Sequence, residues 1–203
     1  CFFGRFLTPP VRAEIFGNKS WLFAGSTRPS GRAAVAGDAY RVNGRWSLVS
    51  GCEISEWLAL RCVVEENGQP RMLQPNMPEA RMVWVRRADV EILDTWHTGG
   101  LRGTGSHDIE IKDKVVPRRF TSSPLDGSSL DGALGRVPIV CNMAAGYAAQ
   151  LLGMGTTAVD SFMTLAANKP VVDPGPALGE RPAVLAAIAA HRASLAAARP
   201  RLH

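Results

Sequence analysis

A short polar segment at residues 50–52 carries the clearest candidate chemistry of the chain. Ser50, Gly51 and Cys52 follow Trp46 in the string Asn-Gly-Arg-Trp-Ser-Leu-Val-Ser-Gly-Cys. A serine hydroxyl can donate or accept a hydrogen bond at a ligand, and the glycine beside it lets the backbone come close to that ligand. The same pair of residues also occurs in ordinary surface turns. The residue types alone therefore leave both a binding role and a purely structural turn open.

A second candidate segment, residues 94–108, contains Arg102, Thr104 and Ser106 among four glycines. Its composition is compatible with a phosphate-binding loop. Its spacing, however, matches neither the dinucleotide fingerprint nor the P-loop, and no helical pattern follows it. Residues 153–158 formally match Gly-x-Gly-x-x-Ala, but they lie inside a helical pattern with no preceding strand. A Rossmann domain is therefore rejected.

The cysteines and histidines do not form a metal-binding or disulfide pattern. The cysteines are Cys1, Cys52, Cys62 and Cys141. They have no paired spacing and no neighbouring histidine, so we expect neither a zinc site nor a disulfide framework. This usage indicates a reduced, cytoplasmic setting. His97 and His107 stand beside predicted turns, and we expect both to face solvent rather than to act as a catalytic base.

The charge balance excludes some classes of partner. The chain has 203 residues and a formal net charge of +5, with a pI near 9.4. Its basic residues are scattered, and the densest groups are Arg86-Arg87 and Arg118-Arg119. No basic stripe interleaved with aromatic residues is present, so nucleic-acid binding is not expected. A mild basic excess suits an anionic small molecule.

The elements that must position these residues are mostly short strands. Asn43-Gly44 is a strong signal for a two-residue hairpin turn, and we expect the strand after it to end at Ser50-Gly51. Residues 25–32 are rich in turn formers and predict a loop. Further strands are predicted at residues 57–64, 72–73, 82–85, 90–93 and 109–115. Short strands at such regular intervals indicate an antiparallel sandwich or barrel.

The character of the chain changes after residues 122–136, a Ser/Gly/Asp-rich segment that we interpret as a linker. From Pro138 to Leu165 apolar residues follow helical spacing, and Asp160 is the only charged residue. This composition predicts a buried helix. A membrane span is possible by length, but the many small and polar residues fit a packed bundle better.

A second Ala-rich helix is predicted at residues 183–198, with Leu185, Ile188 and Leu195 facing inward. The predicted class is therefore α+β. It consists of a β-rich middle domain at residues 1–121, the linker at 122–136 and an incomplete helical bundle at 137–203.

The string around Ser50 resembles the middle β domain of the acyl-CoA dehydrogenase superfamily. The likeness is closest to its flavin-dependent monooxygenase branch, the oxygenase components of two-component aromatic hydroxylases. In that branch a Gly-x-Trp-x-x-x-Ser-Gly-Cys segment runs past the flavin ring. The residues that fit this segment are Gly44, Trp46, Ser50, Gly51 and Cys52. Residues 94–108, followed by Val115-Val116-Pro117, form a second match in the expected order.

The resemblance extends from about Phe16 to about Leu202, and it implies that the chain is a fragment of roughly half a protein. It implies an enzyme that uses reduced flavin and O2 to hydroxylate an aromatic or polycyclic substrate. A separate reductase supplies the flavin, with FMN preferred to FAD. It also implies a homo-oligomer, a dimer or tetramer formed through the helical domain, with no membrane partner.

The resemblance also assigns site residues. Ser50 is the catalytic candidate, as the hydroxyl that forms a hydrogen bond near flavin N5. The other flavin-binding candidates are Ser26, Trp46, Gly51 and Arg102. A tryptophan on a strand packs in the core as often as it contacts a ligand. Arg102 is equally compatible with a role in a structural turn. The family's catalytic base lies outside the matched segments.

Two other functions remain open. An acyl-CoA dehydrogenase would use FAD and a carboxylate base to form a double bond in an acyl thioester. Residues 25–32 lack the acidic residues that true dehydrogenases carry near this position, which favours the monooxygenase. A non-enzymatic interaction domain that binds no flavin is the third possibility.

Overall fold

The computed structural model describes residues 3–17, 22–169 and 175–202, and it divides the chain into two compact units, Cys1–Arg136 and Val137–His203. The first unit is a sheet with two helices, α1 (Pro9–Phe16) and α2 (Ala133–Arg136). The second unit contains α3 (Ile139–Asn168) and α4 (Pro182–Ala198). Short 3-10 turns occur in both units. The chain thus combines a sheet-rich unit and a helical unit, as the predicted class requires.

Among the described residues the first unit contains ten strands. They are β1 (Phe23–Ala36), β2 (Ala39–Trp46), β3 (Trp57–Glu66), β4 (Gln69–Pro70), β5 (Met72–Gln74), β6 (Met77–Pro78), β7 (Ala80–Arg86), β8 (Glu91–Leu93), β9 (Asp108–Pro117) and β10 (Thr121–Ser122). Eight of them form one sheet in the order β10-β7-β3-β1-β2-β9-β8, with β4 attached to β3. Strands β5 and β6 pair separately.

Two details of the predicted sheet need correction. The sheet is open, because β10 and β8 are its two edges and do not pair with each other. It is also not wholly antiparallel, because β1 and β3 run parallel. The parallel pair arises because β2 folds back antiparallel on one side of β1. The chain then crosses over through residues 47–56 and adds β3 on the other side of β1.

The hairpin turn lies at Gly37-Asp38, not at Asn43-Gly44. Gly37 adopts the left-handed φ of +62° that the turn requires, whereas Gly44 lies inside β2 and pairs with Gly31 and Ile111. A Cβ at position 44 would lie 2.6 Å from the Gly31 Cα. The glycine is therefore explained by the close approach of two strands rather than by a turn.

Residues 25–32, predicted as a loop, are part of the long strand β1. The turn-forming residues appear there as an irregularity, since the pairing of β1 with β3 shifts register between Ser26 and Gly31. Glycine and proline within a strand commonly mark such an irregularity. Residues 122–136, predicted as a linker, lie in the first unit. The Ser129 N–H donates to the Arg5 carbonyl over 2.7 Å.

The core of the first unit has two layers, one on each face of the sheet. The larger cluster includes Trp46, Leu58, Leu60 and Ile109, all fully buried. The second cluster forms where α1 packs on the opposite face, with Leu7, Val11, Ile15, Trp57 and Trp84 among its members. Because side chains alternate along a strand, Trp57 and Leu58 enter different clusters.

The helical unit keeps its predicted helices but not their predicted burial. Along α3, Ala166 is the buried residue among those described, and Tyr147, Leu151 and Met154 are exposed. On α4, Leu195 is half-buried, while Leu185 is exposed and does not face inward. Apolar side chains that the sequence predicts to be buried are therefore on the surface of this unit. Within the part of the chain that the structure describes, no helix has the length and hydropathy needed to cross a membrane.

Candidate active site

The two segments that support the resemblance contact each other in the folded chain. The Gly51 N–H donates to the Thr104 carbonyl over 2.8 Å, and the Val49 N–H donates to the His107 carbonyl over 3.1 Å. Strands β2 and β9 explain this contact, because their pairing begins at Trp46 and Ile109. Residues 47–52 leave β2 at the same end of the sheet at which the 101–107 segment enters β9.

Ser50 stands at one end of a row of three hydroxyl groups, Ser50, Ser106 and Thr104, which we call the hydroxyl row. The Ser50 Oγ lies 2.7 Å from the Ser106 Oγ, and the Ser106 Oγ lies 2.7 Å from the Thr104 Oγ1. The Thr104 hydroxyl donates to the Leu101 carbonyl over 2.9 Å. Ser50 is exposed, whereas Ser106 is buried. The sequence did not identify Ser106 or Thr104 as partners of Ser50, although both stand in the second matched segment.

Gly51 shapes the turn that follows Ser50. Its φ is +75°, in the left-handed region that favours glycine. Its carbonyl accepts hydrogen bonds from the Ser55 N–H over 3.1 Å and from the Ser55 hydroxyl over 2.8 Å. The backbone on both sides of Ser50 is thus held by hydrogen bonds, which gives the hydroxyl a defined position.

Trp46 lies in the core and not over a binding surface. Its side chain is fully buried, and the indole N–H donates to the Arg61 carbonyl over 2.9 Å. The ring fills the space above Gly31, where a Cβ would lie 2.7 Å from the Trp46 Cη2. A ring enclosed in this way has no free face for a ligand in the described structure. The burial of this ring argues against the expected contact between Trp46 and a flavin.

Arg102 lies in the 101–107 segment, which contacts the segment that carries Ser50. It begins the 3-10 turn Arg102–Thr104, which lies between left-handed residues Leu101 and Gly105. Its side chain is exposed. The fold thus brings Ser50, Gly51 and Arg102 onto two segments that contact each other.

Ser26 is on β1 and is linked to this region through Arg28. The Ser26 Oγ accepts a hydrogen bond from the Arg28 N–H over 3.4 Å. The Arg28 guanidinium in turn reaches the Ser47 Oγ over 3.5 Å. Ser47 directly follows β2, so Arg28 connects the irregular part of β1 with the segment that carries Ser50.

His107 is not the solvent-facing residue that the sequence predicts. Its side chain is 13% exposed, compared with 71% for His97. The His107 Nδ1 accepts hydrogen bonds from the Thr95 N–H over 3.1 Å and the Trp96 N–H over 3.2 Å. Both bonds use the lone pair of Nδ1, so this ring nitrogen acts as an acceptor for two backbone donors. His107 therefore fixes the start of the 94–107 segment, through backbone donors that a sequence pattern does not reveal.

The two buried thiols, those of Cys52 and Cys62, are not activated nucleophiles. Burial raises the pKa of Cys52, and the charge of Glu53 raises it further. Burial raises the pKa of Cys62 to about 12. Since the thiolate is the reactive form, neither residue is suited to nucleophilic chemistry. Cys1 lies outside the described residues. Residues 3–17, 22–169 and 175–202 contain no cluster of His, Cys, Asp or Glu that could hold a metal ion.

Sequence comparison was made with family models and with curated proteins. No family model matches it. It is 30% identical over 188 residues to the indole-3-acetate monooxygenase of Pseudomonas putida, which covers 92% of this chain and 46% of the relative. It is 35% identical over 114 residues to the flavin-dependent monooxygenase oxygenase subunit HsaA of Mycobacterium tuberculosis, covering 55% of this chain and 27% of the relative. The chain spans less than half the length of these curated relatives.

Comparison of structures shows the acyl-CoA dehydrogenase-like fold. XiaF from Streptomyces sp., solved in complex with FADH2 and glycerol, matches with a TM-score of 0.79 and 23% identity, over 99% of this chain and 52% of that chain. A probable acyl-CoA dehydrogenase from Mycobacterium abscessus matches with a TM-score of 0.71 and 13% identity, over 96% of this chain and 52% of that one. The predicted resemblance is confirmed, and the homologues of this chain are oxygenase components of flavin-dependent monooxygenases.

Proposed function

We propose that the protein containing this chain is the oxygenase component of a two-component flavin-dependent monooxygenase that hydroxylates an aromatic or polycyclic substrate. The observation that supports this proposal most directly is the 2.7 Å hydrogen bond between Ser50 and Ser106. It joins the two segments that carry the family resemblance, and it leaves an exposed hydroxyl at a defined position. The named monooxygenases among the relatives support the same class of reaction.

The residues present fit a flavin. Ser50 is exposed, and its hydroxyl is positioned by a hydrogen bond to Ser106. Gly51 has no side chain that would keep a planar ring away from the backbone. We assign Ser50 to a hydrogen bond with flavin N5 and Gly51 to the close approach of the backbone. Arg102 is assigned to an anionic group of the cofactor or substrate, and Ser26 to a polar atom at the edge of the flavin.

When bound, reduced flavin supplies the chemistry that activates oxygen. The role of this chain is to bind the ring, to orient it and to exclude water. The complex of XiaF with FADH2 supports FADH2 as the cofactor, whereas the sequence resemblance favours FMN. We propose FADH2, delivered by a separate reductase. The proposed assembly is a homo-oligomer formed through the helical unit.

The test uses the full-length natural protein supplied with FADH2 or FMNH2 under anaerobic conditions. After addition of oxygen and a panel of aromatic substrates, the hydroxylated product and hydrogen peroxide are quantified separately. We expect hydroxylation with the preferred flavin. We also expect that Ser50→Ala lowers the ratio of product to peroxide about tenfold, since the loss of one hydrogen bond to a bound group has roughly this effect.

Ser47→Ala is the matched control for this substitution. Ser47 lies in the same segment, and its side chain makes a hydrogen bond of 3.5 Å with Arg28, which is at the limit for such a bond. We expect Ser47→Ala to keep the wild-type ratio. If the protein binds no reduced flavin, or if an acyl-CoA thioester reduces a bound oxidised FAD, the proposed function is wrong. The second result would establish a dehydrogenase instead.

A further inference from the structure

The irregular part of β1 directs an arginine toward the segment that carries Ser50. The pairing of β1 with β3 is interrupted between Ser26 and Gly31. Such irregularities often re-aim a side chain beside a functional site. Arg28 lies within this one, is exposed, and reaches the Ser47 Oγ with its guanidinium over 3.5 Å. Because Ser47 stands three residues before Ser50, the arginine lies beside the candidate site.

Arg28 differs from the other arginines of β1 and β2, because it has no carboxylate partner among the described residues. The others are each ion-paired: Arg32 with Glu65 at 2.9 Å, Arg41 with Asp113 at 2.7 Å and Arg45 with Asp108 at 2.8 Å. From residue 22 to residue 52 the sole acidic residue is Asp38, which lies at the end of β2 away from Ser47. A guanidinium has five N–H donors, and the long bond to Ser47 uses one of them. The remaining donors are available to an anion.

Leu48, the residue after Ser47, is exposed in a strained backbone conformation. Its φ is +59° and its side chain is 53% exposed. Asparagine and aspartate tolerate this left-handed region, whereas leucine is disfavoured in it. Strained residues persist where the surrounding structure fixes them, and they cluster at ligand-binding sites. Trp46, before Leu48, is buried. The Val49 N–H, after it, donates to the His107 carbonyl over 3.1 Å. The fold therefore holds an apolar side chain outward at this point.

We propose that Arg28 is a specificity-determining residue that pairs with a carboxylate of the aromatic substrate, while the ring of that substrate lies on Leu48. The substrate class is then an aromatic carboxylic acid. This inference rests on the proposed function and names the substrate class for the same site. Arginine suits this role because its planar guanidinium binds a carboxylate through two parallel hydrogen bonds. Leu48 supplies the apolar surface that an aromatic ring requires.

The apolar contact also decides how strongly the charges interact. An ion pair that is open to water on all sides contributes little to binding. A ring that lies on Leu48 excludes water from one side of the Arg28 guanidinium, and the attraction between opposite charges increases as water is excluded. The ring and the carboxylate are therefore recognised together, and a neutral analogue of the same shape should bind less well.

Four variants separate the charge from the apolar contact. Arg28→Gln removes the positive charge at an exposed position. Arg28→Lys retains the charge but loses the two parallel hydrogen bonds, so it should keep part of the preference for an acid. Arg32→Gln is the matched control, because Arg32 is an exposed arginine of the same strand that pairs with Glu65. Leu48→Gly removes the apolar surface and permits the positive φ without strain.

The experiment supplies the full-length natural protein with reduced flavin and oxygen and compares acids with their neutral primary amides. The probes are indole-3-acetate with indole-3-acetamide, and 4-hydroxyphenylacetate with 4-hydroxyphenylacetamide. The readout is the ratio of kcat/KM for each acid to that for its amide, and the dissociation constant of the flavin is measured separately. We expect the wild type to prefer the acids.

The variants have distinct expected results. Arg28→Gln should lower the ratio of acid to amide about tenfold, the usual effect of losing a charged hydrogen bond, with flavin affinity unchanged. Arg32→Gln should keep the wild-type ratio. Leu48→Gly should lower kcat/KM for acid and amide by the same factor, because both carry the same ring.

The contrary results are also distinguishable. If Arg28→Gln keeps the wild-type ratio, or if the wild type hydroxylates only neutral aromatic compounds or does not prefer the acids, the carboxylate pairing is overturned while the proposed function stands. If Arg28→Gln weakens flavin binding and leaves the ratio unchanged, Arg28 pairs with a phosphate of the cofactor, and the substrate class is overturned. If Leu48→Gly equals wild type on every probe, the ring does not lie on Leu48. If the wild type binds no reduced flavin, the proposed function is wrong and this inference fails with it.

Discussion

The N–H of Gly51 donates to the carbonyl of Thr104 across 2.8 Å. This bond joins two sequence segments that are each ambiguous when considered alone. Residues 50–52 could form any surface turn, and residues 101–107 could form any glycine-rich loop. In the folded chain they are one structure, because Ser50 precedes Gly51 and makes its hydrogen bond to Ser106, two residues after Thr104. The candidate site is therefore a property of the pair of segments.

Gly51→Ala is expected to weaken both folding and flavin binding. The φ of +75° at this position places an alanine in a strained conformation, at a cost of about 1–2 kcal/mol. A methyl group would also stand between the backbone and a bound ring. The free energy of unfolding is measured by urea denaturation, and flavin affinity by equilibrium dialysis.

Gly68→Ala provides the matched control for Gly51. Gly68 has a φ of +77° and open space around its Cβ position, and it lies between β3 and β4. We expect the same loss of stability as at Gly51 but unchanged flavin affinity. Equal flavin affinities for the two alanine variants would show that Gly51 does not approach the cofactor.

Gly44→Ala is expected to destabilise the sheet by about 1–3 kcal/mol or more, the range for overpacking in a core. The new Cβ would lie 2.6 Å from the Gly31 Cα and 3.0 Å from the Trp46 Cη2. A backbone atom cannot move away as a flexible side chain can. Gly99→Ala, where no atom lies within 4 Å of the new Cβ, should change stability by less than about 0.5 kcal/mol. Equal midpoints in urea would contradict the close approach of β1 and β2.

Trp46→Phe is expected to lower stability by about 1–3 kcal/mol, because the Arg61 carbonyl loses its indole donor and the smaller ring leaves a cavity. Flavin affinity of the folded protein should stay at the wild-type value, since the ring has no exposed face. Trp84→Phe is a matched control in the other core cluster, where the indole N–H donates to Ser122 over 3.0 Å. A selective loss of flavin affinity in Trp46→Phe would restore Trp46 as a cofactor contact.

Glu79 is expected to make stability dependent on acid pH. Burial alone would raise the pKa of its carboxyl group. The hydrogen bond and charge of Arg71 and the charge of Arg81 outweigh burial and lower the pKa below 4.5. The ionised form is therefore favoured by folding, and its contribution is present above pH 4.5 and is lost as the pH falls through the folded-state pKa.

Glu79→Gln should accordingly cost stability at neutral pH, by about 1–3 kcal/mol for a buried charged hydrogen bond, and the difference from wild type should shrink in acid. Urea denaturation between about pH 3 and pH 7 measures both effects. Glu66→Gln, at an exposed carboxylate of the same unit, should follow the wild-type curve at every pH. A constant difference between Glu79→Gln and wild type across this range would exclude the pH linkage.

Local sequence signals predicted the elements whose structure depends on near neighbours. The helix that begins after Pro138, strand β3 and strand β7 lie close to where periodicity and capping residues put them. The order of the two matched segments was also sufficient to indicate the family, which the relatives confirm. These features depend on side-chain alternation and backbone preference, which are properties of contiguous residues.

The tertiary structure decided the features that depend on distant residues. Asn43-Gly44 has the composition of a turn but lies within β2. A glycine is required at position 44 because Gly31 of the neighbouring strand leaves no room for a Cβ. Trp46 is enclosed by the core, and His107 is held by backbone donors at residues 95 and 96.

The hydrogen-bond partner of the Ser50 hydroxyl was likewise beyond the reach of sequence. The sequence by itself determined that a serine and a glycine stand at positions 50 and 51, in a segment typical of flavin-dependent oxygenases. Only the fold placed Ser106 within hydrogen-bond distance of that serine, and Thr104 within hydrogen-bond distance of Ser106. Ser50 is more than fifty residues away from Ser106 in the chain, and the two side chains meet only when β2 pairs with β9.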